Sequence, residues 1–137
     1  MSKKTKECNV SDLESEFRTV INSLLSEEEA LLCYETDFRA SKFAYYIEVL
    51  IVTKSEIIKF NNTNSGRLDF FEMMYLNEIV EIKENKDIYK YPVIQIYGPR
   101  EDMVMDFAFE TEQILYTFTK KIRQLVMKAK SYSPGAG

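Results

Sequence analysis

The sequence predicts a mostly β fold: a seven-stranded antiparallel sandwich or barrel, closed by a C-terminal α-helix and preceded by an N-terminal helix. Three features of the 137-residue chain support this prediction. Apolar residues recur with helical spacing near both ends. Between those ends, short segments rich in β-branched and aromatic residues alternate with clusters of turn-forming residues. Glycine and proline are scarce, with 4 and 3 copies, which argues against a chain built from loops.

The length fits one domain, and a hydrophobic content of 45% can supply its core. The composition divides the chain into four segments. Residues 1–10 are predicted to be a flexible basic tail, and residues 11–25 the N-terminal helix. Residues 26–130 are predicted to form the β domain with its closing helix, and residues 131–137 a second flexible tail.

The N-terminal helix is predicted from apolar residues that share one helical face: Val10, Leu13, Phe17, Val20, Ile21, Leu24 and Leu25. Ser11 and Glu14 have the spacing of a capping box, in which the hydroxyl and the carboxylate each accept a hydrogen bond from a free backbone N–H. We therefore expect the helix to begin at Ser11.

The seven strands are predicted at residues 30–38, 43–53, 57–60, 68–74, 76–82, 93–97 and 103–109, with a charged turn at 83–91. The second strand is apolar on both faces near its end, and the last alternates, with Met105 and Phe107 on one face and Asp106 on the other. Residues 70–82 also fit helical spacing. A longin-, profilin- or roadblock-like α+β fold, with a helix inside the strand run, is therefore the alternative.

The closing helix is predicted at residues 111–130, with Thr111 as its N-cap. Its apolar stripe consists of Ile114, Leu115, Phe118, Ile122, Leu125, Val126 and Ala129. The second half of the helix is basic, which suits the negative end of the helix dipole. Because the stripe must be buried, we expect it to cover the open end of the strands.

Three stretches of the chain resemble parts of the pleckstrin-homology superfamily, including its GRAM-like branch. Residues 25–34 resemble its first strand, and residues 49–60 resemble its apolar strand and the strand that returns beside it. Residues 106–118 resemble its last strand and the start of its closing helix. The resemblance covers residues 26–130 and rests on the order and spacing of the elements. It implies a PH-like domain. Phe118 and Ile122 have the spacing of the tryptophan and aliphatic residue that usually close this fold, so both are expected in the core.

Charge and composition exclude several kinds of function. The net charge is −4, but residues 9–119 carry −11 between basic ends, which argues against nucleic-acid binding. The absence of histidine excludes imidazole catalysis and histidine-based zinc sites. Cys8 and Cys33 lack the spacing of a metal or redox motif, and we expect two free thiols. The sequence predicts no catalytic residue, no cofactor and no metal site.

The sequence predicts a non-catalytic adaptor or scaffold that binds another protein, with a basic partner favoured by the acidic body. The resemblance implies docking on a strand edge, on the groove beside the closing helix, or on an oligomerisation surface. The candidate interaction residues are the surplus aromatics Tyr45, Tyr46, Phe70, Phe71 and Tyr75. The competing interpretation is that the N-terminal helix covers one of these faces.

The alternative function is phosphoinositide or anionic-membrane binding. The resemblance implies a headgroup site where loop cations converge at one end of the domain: Arg39, Lys42, Lys59, Arg67 and Arg100. A third interpretation is attachment through the basic tail, where three lysines precede an acylatable Cys8. The expected location is the cytoplasm, with attachment to a membrane or to the cytoskeleton left open.

Overall fold

The computed structural model describes residues 2–13, 15–25, 30–41, 44–63 and 68–131. These residues contain eight strands: β1 (Ser2–Glu7), β2 (Leu32–Ser41), β3 (Ala44–Val52), β4 (Glu56–Thr63), β5 (Leu68–Tyr75), β6 (Glu81–Lys86), β7 (Pro92–Tyr97) and β8 (Val104–Ala108). The helices are α1 (Ser15–Leu25) and α2 (Glu112–Ser131), and short 3-10 turns occupy Val10–Asp12 and Leu76–Glu78.

The strands form two antiparallel sheets. The first has the order β1-β2-β3-β4-β5 and the second the order β6-β7-β8. The mostly β fold with a C-terminal helix is thus confirmed. The described strands form two open sheets, however, and not a closed barrel.

The main core lies where both sheets meet α2. We call it the inner cluster; its buried residues come from strands β2–β5, β7 and β8, from the second 3-10 turn with Ile79, from Phe109 and from α2. Helix α2 contributes Leu115, Phe118, Ile122 and Val126, as its apolar stripe predicts. Phe118 and Ile122 have no exposed surface. In β8, Met105 and Phe107 are buried and Asp106 is exposed, as the alternation predicts.

The opposite face of the first sheet carries a second core, which we call the outer cluster. It contains Leu13, Ile21, Cys33, Val49, Ile51, Ile58 and Phe60. Val49 and Ile51 of β3 belong to the outer cluster, whereas Leu50 and Val52 belong to the inner one. The apolar run in β3 is therefore buried on both faces, because the segment that contains α1 covers the outer face of the sheet.

The N-terminal residues correct the prediction of a flexible tail over residues 1–10. Ser2–Glu7 pair with β2 along the whole strand, with Lys3 opposite Phe38 and Thr5 opposite Thr36. Lys3 and Thr5 are buried, whereas Lys4 and Lys6 are exposed. This alternation is that of a strand with one face in the protein, but the inward residues are polar and give no apolar signal.

The region predicted as a strand over residues 76–82 is a second correction. Leu76 and Ile79 are both buried, but they are three residues apart on a 3-10 turn. The Tyr75 N–H donates to Glu78 Oε1 at 2.8 Å, and the Ile79 N–H donates to the Leu76 carbonyl. Strand β6 begins only at Glu81 and extends into the predicted charged turn. Between residues 30 and 110 the described chain contains no α-helix, so the longin-like alternative is wrong.

The two helices lie close to their predicted positions. Helix α1 begins at Ser15 rather than Ser11, because residues 10–12 form a 3-10 turn in which the Asn9 N–H donates to Asp12 Oδ2. In α2, Thr111 accepts a hydrogen bond from the Ile114 N–H at 3.3 Å, as expected of its N-cap. None of the helices in the described ranges is both long and apolar enough to cross a bilayer. The predicted tail beyond Ser131 lies outside the described residues.

Candidate functional site

The principal candidate site is a surface groove of about 300 Å³ between α2 and the segment that leads into β6. We call it the α2 groove; it is lined by Ile79, Val80, Glu81, Ile82, Arg123, Val126, Met127 and Lys130. Its base is apolar because Ile79 and Val126 belong to the inner cluster. Its two sides carry apolar residues that are unusually accessible: Val80 is 61% exposed and Met127 is 71% exposed.

The helical side of the groove follows from residue spacing in α2. Arg123, Met127 and Lys130 are separated by four and three residues, so they lie on one face of the helix. This face is adjacent to the buried stripe, since Val126 lies three residues after Arg123 and four before Lys130. The resulting surface is a methionine between two cations. Methionine suits binding surfaces because its unbranched, polarizable side chain adapts to partners of different shape.

The opposite side of the groove is held by the second sheet. The Val80 N–H donates to the Tyr97 carbonyl at 2.8 Å, which fixes the segment before β6. Arg123 Nη2 donates to the Ile82 carbonyl at 3.2 Å and so connects α2 to β6. Strand β6 is the edge of its sheet, and no described strand pairs with its other side. The groove therefore lies beside a strand edge.

The charge around the groove is opposite to that of the body. Residues 120–131 carry five lysines and arginines and no acid, whereas residues 9–119 carry −11. Within the groove, the carboxylate of Glu81 lies 3.9 Å from Lys83 Nζ, so a lysine at the surface neutralises it. The net local charge is positive. The basic partner expected from the overall charge is therefore not the partner that this groove would attract.

Among the aromatic residues predicted for interaction, the two with described side chains differ in exposure. Tyr75 is 51% exposed. Tyr46 lies half-buried between the sheets with its ring 4.9 Å from the Phe38 ring, and burial raises the pKa of Tyr46 to about 12. The backbones of the other three lie in strands, but their side chains are outside the described part: Tyr45, Phe70 and Phe71.

Two of the cations predicted for a lipid headgroup, Arg39 and Arg100, lie in different parts of the fold. Arg39 is next to Phe38, whose ring lies 5.7 Å from Tyr89 in the β6–β7 turn. Arg100 is in the β7–β8 turn at the other end of β7, a strand of six residues. At about 3.3 Å per residue, Arg39 and Arg100 are therefore separated by roughly 20 Å. The expected convergence at one end does not occur for these two residues.

The predicted cations that the structure describes each have a partner within the chain. Arg39 pairs with Asp37 at 3.2 Å, and Arg100 pairs with Asp102 at 3.5 Å. Lys59 Nζ donates to the Asp106 carbonyl at 2.7 Å, across the cleft between the two sheets. Two further predicted cations lie outside the described residues: Lys42 and Arg67.

A second cavity, of about 250 Å³, lies between the sheets and is polar. Lys3 Nζ in this cleft is 3.0 Å from Asp87 Oδ2, and Lys59 Nζ is 3.7 Å from Glu48 Oε2. Burial raises the pKa of Glu48, although Lys59 and Lys3 oppose that shift. The cleft thus carries its own counter-ions. Lys3 is 4% exposed, so it cannot also serve a basic tail that attaches to a membrane.

Comparisons with known proteins do not identify a family. Neither the protein-family models, nor the curated proteins, nor the solved structures give a significant match.

The sequence did not identify the α2 groove, because Val80 has the position of an ordinary strand residue. Val80 falls at the centre of the predicted fifth strand, where it would be buried. Met127 was the available signal: it is an apolar residue outside the stripe of the closing helix, in a segment that is otherwise polar on that side.

Proposed function

We propose that the chain is a PH-like, non-catalytic adaptor or scaffold module that binds a protein segment in the α2 groove. The partner segment combines apolar side chains with at least one carboxylate. The PH-like assignment is supported by the order of the elements, in which antiparallel strands form two sheets and a helix follows the last strand. It is further supported by the burial of Phe118 and Ile122 at the positions where the family closes its core.

The observation that carries the functional proposal is the pair of accessible apolar residues, Val80 and Met127, between two cations. Burying the exposed parts of both side chains contributes about 2–4 kcal/mol. Each surface ion pair to Arg123 or Lys130 contributes less than about 1 kcal/mol. The apolar contacts therefore supply most of the affinity, and the cations select the charge of the partner.

The same cations could attract an anionic membrane, but two features favour a protein. The site is a concave groove about 300 Å³ in volume, which matches a side-chain anchor better than a flat bilayer surface. The remainder of the body carries −11 and is repelled by anionic lipid. The phosphoinositide alternative remains a prediction from the sequence, and the dispersion of Arg39 and Arg100 gives it less support.

The proposal is tested by selecting peptides from a displayed random library with the full chain as bait. We expect enrichment of peptides that contain large apolar residues next to Asp or Glu. The variant Val80→Glu, Met127→Glu should lose this enrichment. The variant Arg123→Glu, Lys130→Glu should select basic peptides instead, because only the charge of the groove is reversed.

Tyr116→Glu is the matched control, because Tyr116 is on the same helix and is 55% exposed but does not line the groove. It should select the same peptides as the wild type. Identical enrichment by the Val80→Glu, Met127→Glu variant and the wild type would refute the groove. Sedimentation with phosphoinositide-containing liposomes tests the alternative: binding that is lost in Arg39→Glu, Lys42→Glu supports a lipid function, and an absence of binding removes it.

A further inference from the structure

We propose that Cys8 and Cys33 form a reversible disulfide, which makes this pair a redox-modification site that links the N-terminal strand to β2. The two residues are 25 positions apart in sequence, yet their Sγ atoms are 3.3 Å apart. Both are free thiols in the structure. The inference rests on this geometry and is independent of the function proposed for the α2 groove.

The backbone holds the two residues in a position that a disulfide can bridge. Strands β1 and β2 pair antiparallel up to Glu7 opposite Tyr34, so the next step brings Cys8 opposite Cys33. The Cys8 N–H donates to the Cys33 carbonyl at 3.0 Å. Directly opposed residues in antiparallel strands have Cα atoms about 4.5–5.5 Å apart, and disulfides span about 4.4–6.8 Å. The bond can therefore form without separating the strands.

The two thiols differ in a way that assigns their order of reaction. Cys8 is partly exposed, whereas Cys33 is buried in the outer cluster at 4% exposure. The hydrogen bond between the thiols lowers the pKa of Cys8, because the Cys33 thiol stabilises a Cys8 thiolate. The same hydrogen bond together with burial raises the pKa of Cys33. Cys8 is thus the attacking group and Cys33 the resolving group.

The oxidant is a low-molecular-weight disulfide, for which oxidised glutathione is the probe. The Cys8 thiolate attacks one sulfur of the probe, forming a mixed disulfide and releasing one glutathione thiolate. Cys33 Sγ then attacks Cys8 Sγ, forming the internal bond and expelling the second glutathione, which takes up the Cys33 proton. Two protein thiols lose two hydrogens in total, and one glutathione disulfide becomes two glutathione thiols.

The internal bond would close a loop that contains the first 3-10 turn and α1. Closing a loop of about 26 residues restricts the unfolded chain, so the oxidised protein should melt roughly 10–17 °C higher than the reduced protein. The bond would also keep β1 paired with β2 at the edge of the first sheet. Reduction by excess dithiol should reverse both effects.

The experiment exposes the folded full chain to oxidised glutathione and follows its intact mass. We expect the wild type to lose two hydrogens without retaining glutathione, and tryptic mapping to recover a peptide pair joined at Cys8 and Cys33. The Cys33→Ser variant should stop at a glutathione adduct on Cys8. The Cys8→Ser variant should react far more slowly, because its remaining thiol is buried.

The wild-type measurement decides the proposal even if a variant fails to fold. A stable glutathione adduct on Cys8 with Cys33 still reduced would overturn it, and so would a disulfide-linked dimer as the main product. Reaction of wild type and Cys8→Ser at the same rate would overturn the order of attack.

Discussion

Replacing Phe118 with alanine tests whether α2 closes the core as the fold requires. The Phe118 side chain has no exposed surface and lies among residues of both sheets. Its ring meets the Tyr34 ring edge-on at 5.3 Å and 80°, and it lies 5.4 Å from the Phe109 ring. These rings come from β2, from the end of β8 and from α2, so Phe118 joins the three parts of the domain.

The expected cost of Phe118→Ala is about 4 kcal/mol of unfolding free energy. Large-to-small changes of a buried phenylalanine cost about 3–5 kcal/mol, because the transferred surface and the cavity both contribute. The two aromatic contacts favour the middle or upper part of that range. For a chain of this size each kcal/mol corresponds to a loss of about 3–5 °C, so the melting temperature should fall by roughly 12–20 °C. Phe118→Leu retains most of the volume and should cost about 1 kcal/mol.

The measurement is urea unfolding followed by far-ultraviolet circular dichroism, with Tyr116→Ala as the matched control. Tyr116 is two residues away on the same helix and is 55% exposed, so its removal should change stability by no more than about 0.5 kcal/mol. A cost below about 1 kcal/mol for Phe118→Ala, or equal costs for both variants, would show that α2 does not close the core.

Three further predictions concern single positions. Gly98→Ala should cost about 1–3 kcal/mol by overpacking, because an added Cβ would lie 2.8 Å from Met103 Cβ; unchanged urea stability would contradict that contact. Lys90 has a φ of 67°, a left-handed conformation in which a Cβ atom is unfavourable. Lys90→Gly should therefore raise the unfolding free energy by about 1 kcal/mol, and Lys90→Val should lower it. The opposite ranking in urea unfolding would exclude the left-handed conformation. Burial raises the pKa of Glu48 in the folded state above its ordinary value of 4.5, although Lys59 opposes the shift. Between the unfolded and the folded pKa, folded Glu48 therefore binds more protons than unfolded Glu48. The unfolding free energy of the wild type should therefore contain a component that falls as the pH rises through the interval between these two pKa values, and Glu48→Gln should lack that component. Parallel pH profiles of unfolding free energy for the two proteins would refute the raised pKa of Glu48.

Local periodicity was a reliable guide where burial depends on apolar side chains. The stripe containing Phe118 and Ile122 and the alternation of Met105 and Phe107 predicted which side chains are buried. These patterns work because a helix or strand that buries one face must repeat apolar residues at its own period. The apolar run in β3 likewise predicted burial on two faces.

Periodicity failed where burial depends on polar partners that are distant in sequence. Lys3 is buried because Asp87, 84 residues later, supplies its counter-ion. Thr5 is buried because its hydroxyl pairs with that of Thr36 at 2.8 Å and accepts from the Glu110 N–H. Without knowledge of those partners, a lysine and a threonine near the N-terminus predict a solvent-exposed tail.

The candidate sites also combine features that the sequence predicts with contacts that only the fold creates. The spacing of Arg123 and Met127 on one helical face can be read from the sequence by itself, as can the mostly β class of the chain. Only the tertiary structure brought Val80 to the other side of that face, and only the pairing of β1 with β2 brought Cys8 to Cys33. The physical reason is that periodicity records which side of an element avoids water, whereas contacts between distant residues depend on strand register and packing across the whole chain.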